Sequence, residues 1–418
     1  MDAYAAVLLW AIPGFLLLVV LEILYGQFTQ RQTYVFMDTL ASLSSGMTNI
    51  LKDVMGLALV LISYPFILNK IALWEVESSW TTYVVAFVCI DFASYLIHLL
   101  NHKVNLFWNQ HLIHHSSEEY NLACALRQSI SNLIGFGALF LIPAALLGVP
   151  AKVISTLAPL HLFAQFWYHT KHIGKLGILE YIIVTPSQHR VHHAINPIYI
   201  DKNLAAIFCV WDRLFGTFQE ELEEEPPVYG TLKPAMSWNP FWINFQHLFF
   251  LARDAWYTKD WKDKIRIWFM ETGWRPTDVA ERFPVQLRTP SSENKYAPHY
   301  SIEWKWIASL HFFATVVMLL FFLFNFSTFS TSFQLQYSGL LFLTIFGFTS
   351  LMDFYQWAAG LEVIRGLISI VFILLPQCHF LYFQQPLIFV FLLAYFVFTI
   401  GTGFWAKSKS IDRELALS

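Results

Sequence analysis

Histidine recurs in this chain at spacings that suit a metal: His98 and His102, then His111, His114 and His115, then His189, His192 and His193. On a helix, residues three and four apart share a face, so each cluster turns its imidazoles toward one point. A catalytic ion takes about three protein ligands and a closed structural zinc four, so eight converging imidazoles predict a dinuclear centre. Imidazole accepts iron, copper, zinc and nickel alike. The residues therefore specify a metal site before they specify its metal.

Other polar residues are read against this set. His247, His299, His311 and His379 stand alone and read as surface or packed residues, while His161 lies in an apolar stretch where a structural role is equally open. Asp91 lies seven residues before His98, two helical turns back on the same face. From there its carboxylate would take the second N–H of a ligand imidazole and fix its tautomer, with plain helix packing as the alternative. Glu22 falls inside an apolar run, where a carboxylate must face the protein interior or a cavity. The acidic run 220–225 (EELEEE), before Pro226 and Pro227, reads as a solvated loop.

The elements that must hold these groups are apolar. The 418 residues are 56% hydrophobic and 18% aromatic with only 13% charged, too little charge for a soluble domain of this length. Apolar runs near 20 residues recur, the length that crosses a hydrocarbon core of roughly 30 Å. The chain reads as an all-α, polytopic membrane protein. Nine spans are expected, at residues 5–25, about 54–68, 81–100, 130–147, 153–168, 306–326, 337–354, 361–375 and 387–405. The first is read as permanent, for it lacks a basic leader and a small-residue cleavage site. The fourth and fifth form a hairpin turned by Gly148, Val149 and Pro150, and Pro376 shortens the eighth. The chain thus divides into an N-terminal transmembrane region (1–80), a catalytic core with the three clusters (81–220), a cytosolic segment (221–305), a C-terminal transmembrane region (306–406) and a polar tail (407–418).

Placing the long polar stretch 169–305 in the cytosol puts Arg31, Lys103, Arg127, Lys407 and Lys409 there as well, in keeping with the positive-inside rule. The amino terminus then faces the lumen and all three clusters lie at the cytosolic ends of spans. A metal transporter would instead pair polar residues along successive spans. Four scattered cysteines, Cys89, Cys124, Cys209 and Cys378, suit neither a disulfide framework nor a CxxC zinc site. A formal charge of −3 argues for no partner, and no nucleic-acid partner is expected.

The histidine pattern resembles the fatty acid hydroxylase/sterol desaturase superfamily of integral-membrane diiron oxygenases. Within it, runs 109–121 (NQHLIHHSSEEYN), 125–129 (ALRQS), 165–170 (QFWYHT), 185–193 (TPSQHRVHH), 200–204 (IDKNL) and 211–218 (WDRLFGTF) are similar to the alkylglycerol monooxygenase family. The resemblance covers about residues 91–218. It implies two irons, tetrahydrobiopterin and dioxygen, and an ether-lipid substrate drawn from membrane lipid. The ether-linked carbon of a 1-O-alkylglycerol or lyso-ether lipid would be hydroxylated, releasing a fatty aldehyde and a glycerol compound at the endoplasmic reticulum membrane. The resemblance adds His169 to the eight metal ligands and leaves His172 without a counterpart. Asp91, Glu118 and Asn121, with Glu119, are the supporting catalytic residues expected beside the metals, and Arg127, Arg190 and Lys202 are candidates for a headgroup phosphate or the pterin. Leu99 and Lys103 stand where relatives commonly carry arginine and an acid, and Gln188 where a histidine often occurs. The rival within the superfamily is a sterol or fatty-acyl desaturase or hydroxylase fed by cytochrome b5.

Overall fold

Length decides which apolar runs cross the membrane, for about 20 helical residues are needed to rise roughly 30 Å. The computed structural model describes residues 2–57, 59–135, 137–291 and 295–417, and the side chains of these except 2–6, 134 and 410–417. Among the described residues six helices are long and apolar enough: Val7–Phe28, Trp80–Lys103, Ile302–Phe324, Thr331–Met352, Gln356–Leu374 and Pro386–Lys409. They belong to α1 (Asp2–Phe28), α4 (Trp80–Lys103), α13 (Ile302–Phe324), α14 (Thr331–Met352), α15 (Gln356–Leu374) and α17 (Pro386–Leu417).

The other three expected spans are not continuous helices. Residues 54–68 follow the largely buried α2 (Phe36–Val54) and break into a two-residue strand, Leu59–Val60, and α3 (Tyr64–Ile71). Pro65 begins that helix instead of closing a span, as its fixed φ permits in a first turn. The strand pairs in parallel with Ile134–Gly135. Glycines 135 and 137 and Pro143 interrupt the fourth expected span, which becomes a 3-10 turn, Gly137–Leu141, and α6 (Ile142–Leu146). The fifth becomes α7 (Ala151–Phe163), thirteen residues with Pro159 inside, roughly 20 Å long and too short to cross. Gly148 turns this hairpin at φ +73°, and a Cβ there would lie 2.0 Å from the carbonyl oxygen of Trp74. Only glycine fits.

The remaining helices are short except one: α5 (Asn105–His115), α8 (Pro186–His192), α9 (Val210–Phe215), α10 (Pro240–Tyr257), α11 (Trp261–Arg266), α12 (Thr277–Arg282) and α16 (His379–Gln384). A large apolar core joins α1 and α2 to the C-terminal helices, with Leu51, Phe322, Leu341, Ile345 and Phe396 fully buried. The polar segment is pinned to this bundle at the end of α14. There Asp353 accepts from the Trp238 amide at 2.7 Å and the Tyr296 hydroxyl at 2.9 Å. Asn239 then caps α10 through the amides of Phe241 and Trp242.

Candidate metal centre

A single extended residue, Val104 (φ −119°, ψ 124°), separates α4 from α5 and turns the second helix back against the first. Asn105 holds the turn, donating to the carbonyls of Ile267 (2.9 Å) and Trp274 (3.0 Å) and accepting from the Gly273 amide (2.9 Å). Both helices carry histidine at i and i+4, so their rings meet rung to rung. His98 Nε2 lies 2.8 Å from His111 Nε2, and His102 Nε2 lies 3.2 Å from His115 Nε2, each pair thirteen residues apart.

With His192 of α8 these four form one group, whose available nitrogens all lie within 4.8 Å of one another. His114, His169, His189 and His193 form a second group to the same limit. The groups adjoin, with the rings of His115 and His193 stacked at 4.4 Å. Every histidine chosen from the clusters, and His169, chosen by resemblance, falls in one group or the other. His172 packs on Tyr25, His379 on Phe383, and His247 reaches the Asn105 carbonyl, outside both groups.

Which ring nitrogen faces the centre depends on what the other one meets. His98 Nδ1 lies 2.7 Å from the Leu204 carbonyl, His192 Nδ1 3.0 Å from that of Lys202, and His169 Nδ1 3.1 Å from that of Gln165. His102 Nδ1 lies 3.1 Å from Asp201 Oδ1. These oxygens only accept, so Nδ1 carries the proton and Nε2 the lone pair. Hydrogen bonds alone then leave the cluster short. His169 Nε2 faces both His114 Nε2 (3.3 Å) and His189 Nε2 (2.9 Å), and His189 Nε2 also faces His193 Nε2 (3.0 Å). His192 Nε2 is buried with no partner. A shared cation satisfies such nitrogens, since two ligands at about 2.1 Å and a right angle stand roughly 3 Å apart. Burial, with repulsion from neighbouring rings, holds His111, His114, His115, His189, His192 and His193 well below the usual imidazole range, and burial brings His169 to about 4. The rings are neutral at physiological pH, as metal ligation requires.

One loop supplies three of the outer partners: Asp201, Lys202 and Leu204. Asp201 and Asn203 adopt φ of 56° and 53°, a left-handed conformation that Asp and Asn tolerate when locally bonded. Asn203 bonds the Gln188 and Gln219 carbonyls, and Asp212 accepts from the amides of Leu204 (2.7 Å) and Ala205 (2.9 Å). Lys103 clamps the other oxygen of Asp201 at 2.7 Å. Asp201 lay in a run that carried the family resemblance, yet no spacing marked it as a partner of His102.

The expected acids take other places. Asp91 does not reach His98; it accepts from His161 Nε2 (2.8 Å), the amides of Ile207 (2.9 Å) and Phe208 (3.1 Å), and Trp211 Nε1 (2.8 Å). It therefore ties the chain beyond the 201–204 loop to α4, and His161 serves that anchor. Glu118 pairs with Arg288 at 2.6 Å and accepts from the Tyr296 amide, while Glu119 pairs with Lys295. Asn121 donates to the Thr33 carbonyl at 2.8 Å and accepts from the Ala123 amide. Glu22 meets the Tyr34 and Thr170 hydroxyls and the Leu122 amide, joining α1 to the segments after His115 and His169. Arg190 is spent on Glu221 and the Thr170 and Ile173 carbonyls. The acidic run is accordingly not all solvated, for Glu221 holds Arg190 and Glu225 accepts from Asn196 at 2.8 Å.

Fold and site together define a class: a multi-pass membrane protein with two adjoining groups of histidines, each able to hold a metal ion. The family model named Fatty acid hydroxylase matches residues 83–217, the stretch that carries both groups. The chain is 32% identical over 409 residues to an alkylglycerol monooxygenase of Xenopus tropicalis, covering 96% of this chain and 90% of that protein. It is 40% identical to the Homo sapiens alkylglycerol monooxygenase over 57% of this chain and 53% of that protein. To the Danio rerio alkylglycerol monooxygenase it is 36% identical over 64% and 59%. No solved structure matches. The chain belongs to the alkylglycerol monooxygenase family.

Proposed function

We propose that this protein is a membrane diiron monooxygenase that cleaves ether lipids. It hydroxylates the ether-linked carbon of 1-O-alkylglycerols and lyso-ether lipids with dioxygen and tetrahydrobiopterin. One oxygen atom enters the C–H bond and the other leaves as water, the reduced pterin supplying two electrons and two protons. The hemiacetal then passes its hydroxyl proton to the glycerol oxygen and parts into a fatty aldehyde and a glycerol compound.

The observation that carries this reading is the pair of adjoining imidazole groups, with Nε2 atoms 2.8–3.3 Å apart and no carboxylate among them. His98, His102, His111, His115 and His192 would hold one iron, and His114, His169, His189 and His193 the other. Iron supplies the redox chemistry that breaking an unactivated C–H bond demands and that zinc lacks. The chain's own part is to keep the rings neutral and to aim four of them, His102, His192, His98 and His169, through Asp201 and the carbonyls of Lys202, Leu204 and Gln165. Residues 201–204 are themselves held by Asp212, Asn203 and, further on, Asp91. The site belongs at the cytosolic face of the endoplasmic reticulum membrane, where a lipid enters sideways and a soluble reductant from the cytosol.

The test is aldehyde release from a 1-O-alkylglycerol by iron-loaded membranes, with and without tetrahydrobiopterin. Pterin-dependent aldehyde is expected, with turnover abolished in His114→Ala and His192→Ala while membrane insertion persists. Full activity in either variant would break the ligand assignment. Activity on sterols driven by cytochrome b5, with none on alkylglycerols, would replace the reaction itself.

A further inference from the structure

Two cavities, one of them holding charged side chains, flank one dipeptide, Leu126–Arg127. The first lies between α1, α2 and α13, and every residue lining it is apolar, among them Phe15, Met47, Leu126 and Val316. Two of its three helices are membrane spans, so it sits where a hydrocarbon chain is at home. The second lies at the start of α2, where Asp38, Glu118, Glu119, Arg127 and Lys295 meet apolar walls such as Met236 and Trp238. α2 and the dipeptide are walls of both.

The shared wall adjoins the histidines. The guanidinium of Arg127 donates at 2.7 Å to the hydroxyl of Ser116, the residue after His115. On the other side, the ring of Phe15 lies 4.5 Å from that of Phe166, whose carbonyl faces His169 Nδ1 at 3.3 Å.

We propose that the two cavities form one amphiphile site, resting on the ether-lipid reading above. The alkyl chain of a 1-O-alkylglycerol lies in the wholly apolar cavity and its glycerol head in the one that holds the ion pairs. The ether-linked carbon, the atom between chain and head, then comes to Leu126–Arg127, beside the end of the helix that carries His111, His114 and His115. The ion pairs of the second cavity, Arg127 with Asp38 at 2.6 Å and Lys295 with Glu119 at 2.5 Å, offer a glycerol head both donors and acceptors.

The test uses the full chain in membranes and a 1-O-alkylglycerol carrying a diazirine midway along its alkyl chain. After irradiation the label is expected on Leu43, Met47 or Val316 and is displaced by unlabelled 1-O-hexadecylglycerol. Label spread over lipid-facing residues and indifferent to competitor marks ordinary boundary lipid and overturns the site. Val316→Trp shortens the cavity and is expected to lower aldehyde release from the hexadecyl substrate about tenfold, while an octyl substrate stays within about twofold. Equal loss on both chains, with iron content intact, is the contrary result. If the wild type releases no aldehyde yet the label maps to the cavity, the reaction falls and the lipid site stands. If the wild type is active and the label lies elsewhere, the reverse holds.

Discussion

Asp201 does for this site what a carboxylate behind a metal-bound imidazole does elsewhere: it accepts the far N–H of His102 and fixes the tautomer that turns Nε2 inward. Asp201→Asn replaces an acceptor with an amide that can turn either end toward the ring. Iron retention is expected to fall about 10- to 100-fold, read as iron per chain after a chelator challenge. Retention equal to wild type would remove Asp201 from the site. Lys103 clamps the same carboxylate, but its side chain is 47% exposed and the pair is screened by solvent. Lys103→Ala should therefore change iron retention little. His379→Ala should change neither iron nor turnover, since its ring packs on Phe383 outside both groups. Loss of iron in that variant would mean that the histidines have been divided wrongly.

At the scale of elements, the site depends on two joints. One is the Val104 turn, which converts two i, i+4 ladders into facing ladders. The other is Asp91, a fully buried carboxylate on α4 that gathers two amides, an indole N–H and His161. Asp91→Ala leaves those four donors without their acceptor in a place water does not reach. A stability loss of about 3 kcal/mol or more is expected, with the 201–204 loop freed and iron lost as a consequence. Thermal unfolding of the detergent-solubilised variant measures it, and an unchanged transition would contradict the anchor. Helical periodicity put Asp91 on the His98 face of α4 and led to the expectation of a ligand imidazole as its partner. It could not say what that face meets, because the partners arrive from residues 161 and 207–211. Likewise the apolar runs at 54–68, 130–147 and 153–168 have a span's composition, but Gly and Pro within them and the packing of α3, α6 and α7 stop them short.

At the scale of the whole molecule, the C-terminal bundle holds a polar core of its own. Glu362 and Arg365 are fully buried and paired, and Arg365 also reaches Thr344 and Thr399. Gly347 leaves the room, since a Cβ there would lie 2.0 Å from Glu362 Oε1. Glu362→Gln or Arg365→Leu alone strands a charge and should cost about 3–5 kcal/mol, whereas the double variant should recover part of that loss. A double-mutant cycle on thermal stability tests this, and additive losses would deny the coupling. What the sequence alone determined is the donor set and the setting: histidines at helical spacing, apolar helices, little charge. Those follow from side-chain chemistry and from a period of 3.6 residues, both local properties. Only the tertiary structure decided how nine imidazoles divide into two groups, that Asp201 stands behind His102, where Asp91 and Glu22 are satisfied, and which apolar runs form helices long enough to cross. The reason is distance along the chain: His102 meets Asp201 across 99 residues and Glu22 meets Leu122 across 100, and no short-range pattern encodes such pairings.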